Sequence, residues 1–225
     1  MLAPDSPWIS PETVAGFARS GPNDVLMGFA AEEYRRLGRG AVVDIGCGAG
    51  RNALPLAAMG WTVVGTDLSW PMLEAGRERA HREAPDARVM FVHTPMEAIP
   101  LPDASVDLAI AHGIWNLAES SAQFRRAVAE AARVTRPGGA LFVFTFSRNT
   151  LPPTAAPVAG ETFVFTQFSG RPQVFVTDDQ LVSEMRRAGF DPDPGVPLTE
   201  YNRRVPGALS AGSGPVIYEA AFRRR

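Results

Sequence analysis

Two carboxylates, a run of alternating glycines and one histidine are the residues of this chain whose types and spacing suit chemistry. Asp44 sits in an apolar run, Val42-Val43-Asp44-Ile45, followed at once by Gly46-Cys47-Gly48-Ala49-Gly50. Alternating glycines let a main chain pass so close to a ligand that any side chain would collide, and a helix starting near Gly50 would point free N–H groups at it. A second apolar run, Trp61-Thr62-Val63-Val64-Gly65-Thr66, ends in Asp67. An acid at the tip of a second strand is placed to accept hydrogen bonds from both hydroxyls of a ribose. The pattern predicts a nucleotide-type cofactor site. The dinucleotide fingerprint wants a third glycine where this chain has Arg51, which disfavours NAD while leaving it open. A Walker phosphate loop is excluded, because it requires lysine and the chain has none.

These residues need a scaffold, and the hydrophobic periodicity predicts one. Apolar runs near residues 41–45, 61–66, 87–92, 106–111 and 140–146 read as strands, and helix-period segments near 50–59, 70–83 and 120–135 lie between them. Ser10-Pro11-Glu12 caps a short helix running to about Arg19, and Gly21-Pro22-Asn23 breaks it before a second helix from Asp24 to Leu37. Between residues 147 and 176 the pattern degrades into a Pro-, Thr- and Gly-rich stretch carrying Phe163, Phe165 and Phe168, and helix period returns from Asp178 to Ala188. Residues 215–222 form the last strand, with 196–201 contributing its partner. The expected organisation is one domain: an N-terminal helical lid (1–39), a cofactor-binding core (40–146), a cover over the acceptor site (147–176) and a C-terminal helix with strands (177–225).

Composition agrees. With 225 residues, 45% hydrophobic and 20% charged, the chain can bury the core of one α/β domain. A net charge of −2 gives no basic field for nucleic acid, and the three terminal arginines are expected to solvate the tail. Cys47 is the only cysteine, so there is no internal disulfide and no thiolate cluster for a metal. The absence of a signal-like or membrane-spanning run leads to an expectation of a cytoplasmic protein without membrane contact.

Four motifs taken together resemble the class I S-adenosylmethionine-dependent methyltransferase family: Asp44-x-Gly46-x-Gly48-x-Gly50; Asp67-Leu68-Ser69-x-x-Met72-Leu73; Leu101-Pro102-Asp103-x-Ser105-x-Asp107; and Arg133-Val134-Thr135-Arg136-Pro137-Gly138-Gly139. The resemblance implies a doubly wound, seven-stranded, mostly parallel sheet with S-adenosylmethionine at the carboxyl ends of its first strands. It implies that Asp44, Gly46, Cys47 and Gly48 line the amino-acid moiety through backbone groups, that Asp67 holds the ribose, and that Leu68 and Met72 flank the adenine. Where the family has an acid meeting the adenine amino group, this chain has Pro95, which leaves Met96 N–H, Glu97 or Thr94 to recognise that edge.

Methyl transfer from a sulfonium is a displacement in which the protein aligns an acceptor lone pair and excludes water, without a metal. His112, closing the fourth strand where the family builds the floor under the methyl group, is the candidate base and also a cofactor contact. His81 and His93 are given no role. Trp8, Phe17, Tyr34, Trp115, Phe146 and the aromatics of 163–168 are candidates for an apolar acceptor pocket, and Arg19, Arg51, Arg148 and Arg171 for orienting an anion. The expected activity is methyl transfer to a small molecule. A macromolecular acceptor, an NAD-dependent oxidoreductase and a non-catalytic cofactor-binding regulator stand as alternatives, and the oligomeric state is undetermined.

Overall fold

Local signals set the first two helices. In the computed structural model, which describes residues 6–202 and 214–225, Ser10 opens helix α1 (Pro11–Arg19) by accepting the Thr13 N–H, with Pro11 in the first turn where no N–H is needed. Asn23 opens α2 (Asp24–Leu37) by accepting from Leu26 N–H, and Gly38 closes it in the left-handed conformation, φ 73°.

Five parallel strands follow: β1 (Ala41–Ile45), β2 (Thr62–Asp67), β3 (Val89–His93), β4 (Val106–His112) and β5 (Thr135–Phe146). Helices α3 (Ala53–Ala58), α4 (Trp70–Glu83) and α5 (Ser121–Val134) make the crossovers after β1, β2 and β4. Beyond β5 come a small ribbon, β6 (Val164–Phe165) with β7 (Gln173–Val174), then α6 (Asp178–Arg187), β8 (Phe190–Pro192), β9 (Thr199–Asn202) and β10 (Val216–Arg224). The strand order is β3-β2-β1-β4-β5-β10-β8, seven strands, with β10 antiparallel to β5 and β9 adding to β10 beside that path. Successive strands run outward one way from β1 and the other way from β4, so the crevice between these two tips is the switch point where such sheets bind ligands.

Alternation along the central strands divides the core in two. Leu108, Ile110, Ala140 and Phe142 pack with Leu26, Phe29 and Leu54 on one face; Ala109, Ala111, Leu141 and Val143 pack with Phe124, Ala127 and Val128 on the other. Strands buried on both faces read as unbroken apolar runs, which is why their positions were legible. Among the described residues no helix is long and apolar enough to cross a membrane.

Several expectations are corrected. Helix α3 begins at Ala53 rather than near Gly50, since residues 48–52 form turns, and β5 begins at Thr135 because the Pro-Gly-Gly segment runs along the sheet after an irregularity in its pairing with β4. Strand β8, three residues ending in a proline, escaped the periodicity; β9 pairs with β10 as expected. The terminal arginines do more than solvate a tail. Arg223 holds Glu33 and Asp193, and Arg224 donates to the Gly189 carbonyl. The C-terminal segment expected over 177–225 includes 203–213, which lie outside the described residues.

Candidate active site

The glycine turn is shaped by contact and by its own hydrogen bonds. Gly46 has φ 71°, and a Cβ added there would lie 2.6 Å from Ile114 Cγ1, so this position requires glycine twice over. The N–H groups of Gly46 and Cys47 both donate to the Thr66 carbonyl, at 2.7 and 2.9 Å, and Gly50 N–H donates to the Cys47 carbonyl. These three N–H groups are therefore committed to closing the turn. Gly48 faces Phe17 of α1 and Met72 of α4 across ordinary contact distances, whereas the Cys47 thiol turns inward against Gly65 and is held protonated, burial pushing it well above its usual range.

The two carboxylates differ in their partners. Asp67 accepts the Gly48 N–H on one oxygen (2.9 Å) and the Ser69 N–H on the other (2.7 Å), joining the tips of β1 and β2. Burial raises its pKa, and the two N–H groups and His93 oppose the rise. Asp44 is buried, and its Oδ2 has no hydrogen-bond partner among the described residues. Desolvation raises its pKa to about 7, with Arg51 pulling it down and Asp67 pushing it further up. A buried carboxylate oxygen with no donor is costly unless something outside the chain supplies one.

Around this pair, Met72 is buried and Leu68 half-buried, its carbonyl accepting from His93 Nε2 at 2.9 Å, a tethering role that sequence had not given His93. Met96 packs into the core; Glu97 accepts from Gln123 through Oε1 while its Oε2 is buried with no partner among the described residues. The Thr94 hydroxyl is spent on the Ala98 carbonyl.

His112 ends β4 buried and stacked on Phe144, ring centroids 4.1 Å apart and 13° between planes. Its Nε2 is 3.1 Å from Asn23 Nδ2 and its Nδ1 is 2.8 Å from Arg51 Nη2. Asn23 also donates to Glu219 Oε1 at 2.7 Å, and its own N–H donates to Asn52 Oδ1. Sequence reasoning missed Asn23, Asn52 and Glu219 as site residues. The local signal at Asn23 was that of a helix cap, and nothing local marks Glu219.

The aromatic candidates separate into three groups. Trp8 and Phe17 meet edge to face at the glycine turn, where the Ser69 hydroxyl donates to the Trp8 carbonyl. Phe146, Phe165, Phe168 and Phe175 form a cluster at the end of β5, Phe168 half-exposed, with Arg148 bound to carbonyls of residues 151–155 and lying over Phe165. Trp115 and Phe163 are core, both packing on Phe124, and Tyr34, half-buried, packs against the core on Trp61.

A family model described as a methyltransferase domain matches residues 43–143. The ubiquinone/menaquinone biosynthesis C-methyltransferase of Acidiphilium cryptum is 34% identical over 167 residues, 67% of this chain and 66% of that one. The 27-O-demethylrifamycin SV methyltransferase of Amycolatopsis mediterranei is 30% identical over 165 residues, 72% of this chain and 58% of that one. The chain thus spans 66% or less of the length of these two curated relatives. Among solved structures, the Burkholderia thailandensis 1,6-didemethyltoxoflavin-N1-methyltransferase, bound to 1,6-didemethyltoxoflavin and S-adenosylhomocysteine, shares the fold with a TM-score of 0.64 at 20% identity, over 100% of this chain and 93% of that one.

Proposed function

Because the chain belongs to the class I S-adenosylmethionine-dependent methyltransferase family, we propose that it moves a methyl group from S-adenosylmethionine to a small-molecule acceptor by in-line displacement. The observation that carries this reading is the pair Asp44 and Asp67 flanking a glycine turn on adjacent parallel strand tips. The residues fit the cofactor. Asp44 Oδ2 supplies the buried acceptor that a cationic amino group needs. Each Asp67 oxygen, already holding one N–H, keeps a further lone pair for a ribose hydroxyl. Glu97 Oε2, buried and without a donor among the described residues, suits the amino edge of an adenine and stands in for the acid missing at Pro95.

When bound, S-adenosylmethionine supplies a sulfonium methyl whose transfer leaves a neutral thioether. The chain's residues align and exclude: Ile114 closes on Gly46, Trp8 and Phe17 roof the turn, and Phe144 fixes the plane of His112 at the acceptor side. The named relatives act on small molecules at carbon, oxygen or nitrogen positions, which supports a small acceptor without choosing the atom. Calorimetry with S-adenosylhomocysteine should give binding in the micromolar range. A screen with labelled methyl donor over phenols, quinols, thiols and amines should then yield a labelled product. Absence of S-adenosylhomocysteine binding, or NAD binding in its place, would overturn the reading.

A further inference from the structure

A buried acid, Glu219, stands on the strand face that carries His112. His112 on β4 and Glu219 on β10 are both register partners of Phe144 on β5 between them, so the three side chains leave one face of the sheet in a row. The outer two are two strand spacings apart, about 10 Å between main chains, and a side chain from outside the sheet is needed to connect them. Asn23, at the start of α2, is that side chain: its Nδ2 donates to Glu219 Oε1 at 2.7 Å and lies 3.1 Å from His112 Nε2. The amide has one orientation. Its Oδ1 accepts the Leu26 N–H at 3.0 Å, and a flipped amide would set that oxygen against the Glu219 carboxylate and its NH₂ against the Leu26 N–H. The Asn23 main-chain N–H donates to Asn52 Oδ1 at the end of the glycine turn. Packing does not favour an acid at 219. Its neighbours along the face, Ile217 and Ala221, are apolar and buried, and a leucine there would avoid the cost of desolvating a carboxylate. What the carboxylate supplies and leucine lacks is an oxygen that keeps an amide NH₂ in one place.

We propose that Glu219 and Asn23 are positioning residues for methyl transfer: Glu219 fixes the asparagine amide, and the amide and Phe144 fix the His112 ring, one at its edge and the other at its face. The contact with Asn52 ties this frame to the cofactor turn. A ring held at edge and face keeps one plane and one place towards the acceptor, while the donor is gripped on the neighbouring strand tips. The frame sets where the ring lies and assigns no proton to either of its nitrogens. This inference rests on the methyl-transfer reading, which puts His112 at the acceptor side.

Glu219→Leu separates positioning from stability, because it removes the desolvation cost of the acid together with its hold on Asn23. Three histidines in the chain make the ring visible by NMR on histidine-labelled protein, with His112→Ala to identify its signals. Protons on a ring stacked against Phe144 are shielded, so those of His112 should lie upfield of those of the exposed His81. In Glu219→Leu the thermal midpoint should hold or rise while the His112 protons lose most of that upfield displacement. Glu219→Gln, which keeps an oxygen for the Asn23 amide, should retain it, and Asn23→Ser, which keeps the α2 cap, should lose it. S-adenosylhomocysteine affinity should stay within about twofold of the parent in all three, since the carboxylates and turn that hold it are untouched. On the phenol, quinol, thiol or amine that the labelled donor marks, Glu219→Leu should lower kcat about tenfold or more at an unchanged KM for S-adenosylmethionine. A lower midpoint with the upfield displacement intact in Glu219→Leu would make the acid a structural residue and overturn the proposal. So would a displacement unchanged in Asn23→Ser, or one lost as fully in Glu219→Gln as in Glu219→Leu. A parent protein that does not bind S-adenosylhomocysteine would refute the methyl-transfer reading instead, whatever the His112 signals show.

Discussion

Asp67 accepts the main-chain N–H of Gly48 at 2.9 Å, so the carboxylate proposed to grip the ribose also holds the glycine turn in place. Cofactor affinity and turn geometry are coupled through one side chain. Asp67→Ala should cost about 1.5–3 kcal/mol of S-adenosylhomocysteine binding by calorimetry, from the loss of charge-assisted hydrogen bonds. Unchanged affinity would place the ribose elsewhere.

Asp44 makes stability and function oppose one another. Its pKa in the fold is raised from 3.8 to about 7, chiefly by burial. A raised value means that the protonated form favours the fold: the contribution is complete below about pH 4 and is lost as pH rises through about 7. In urea melts of the cofactor-free protein, Asp44→Asn should therefore gain stability over the parent as pH rises, by roughly 2–4 kcal/mol across that window. The parent's affinity for S-adenosylhomocysteine should improve over the same rise, since a cationic amino group prefers the carboxylate. The asparagine variant should bind weakly at every pH.

Gly46→Ala meets two separate penalties, a left-handed φ of 71° and a Cβ placed 2.6 Å from Ile114 Cγ1. Together they should cost about 2–4 kcal/mol in chemical denaturation. In an Ile114→Ala background, where the contact is gone, Gly46→Ala should cost only roughly 1 kcal/mol of backbone strain. An equal cost of Gly46→Ala in the parent and in the Ile114→Ala background would show that the clash is not felt.

His112→Ala removes a donor from the acceptor side while leaving Asp44, Asp67 and the glycine turn in place. Turnover should fall about 10²-fold, the usual effect of deleting one well-placed donor, with S-adenosylhomocysteine affinity within about twofold of the parent. A variant running at full rate would reduce the ring to packing against Phe144.

Asn23→Ala should destabilise the chain by about 1–2 kcal/mol because α2 loses its cap, whereas Asn23→Ser should recover most of that. Thermal melts of the two variants separate the capping role of this residue from its contact with His112.

Much of this molecule is fixed by interactions within a few residues along the chain. The bounds of α2 followed from Asn23 and Gly38, the positions of β1, β2 and β4 from apolar runs, and the pairing of Asp44 with Asp67 from two such runs ending alike, because caps, periodicity and glycine conformations act over one turn or one strand. What sequence could not settle depends on which strand lies beside which. Asn23, His112 and Glu219 stand 89 and 196 positions apart and meet only because the start of α2, the end of β4 and strand β10 converge at one edge of the crevice. Tertiary packing likewise buries Trp115, lays Tyr34 against the core at Trp61 and gathers Phe146 with Phe168, although as residue types these aromatics are alike. The N–H groups of Gly46 and Cys47 are held by the Thr66 carbonyl, an acceptor that no local pattern names, since only the folded sheet brings that oxygen within reach.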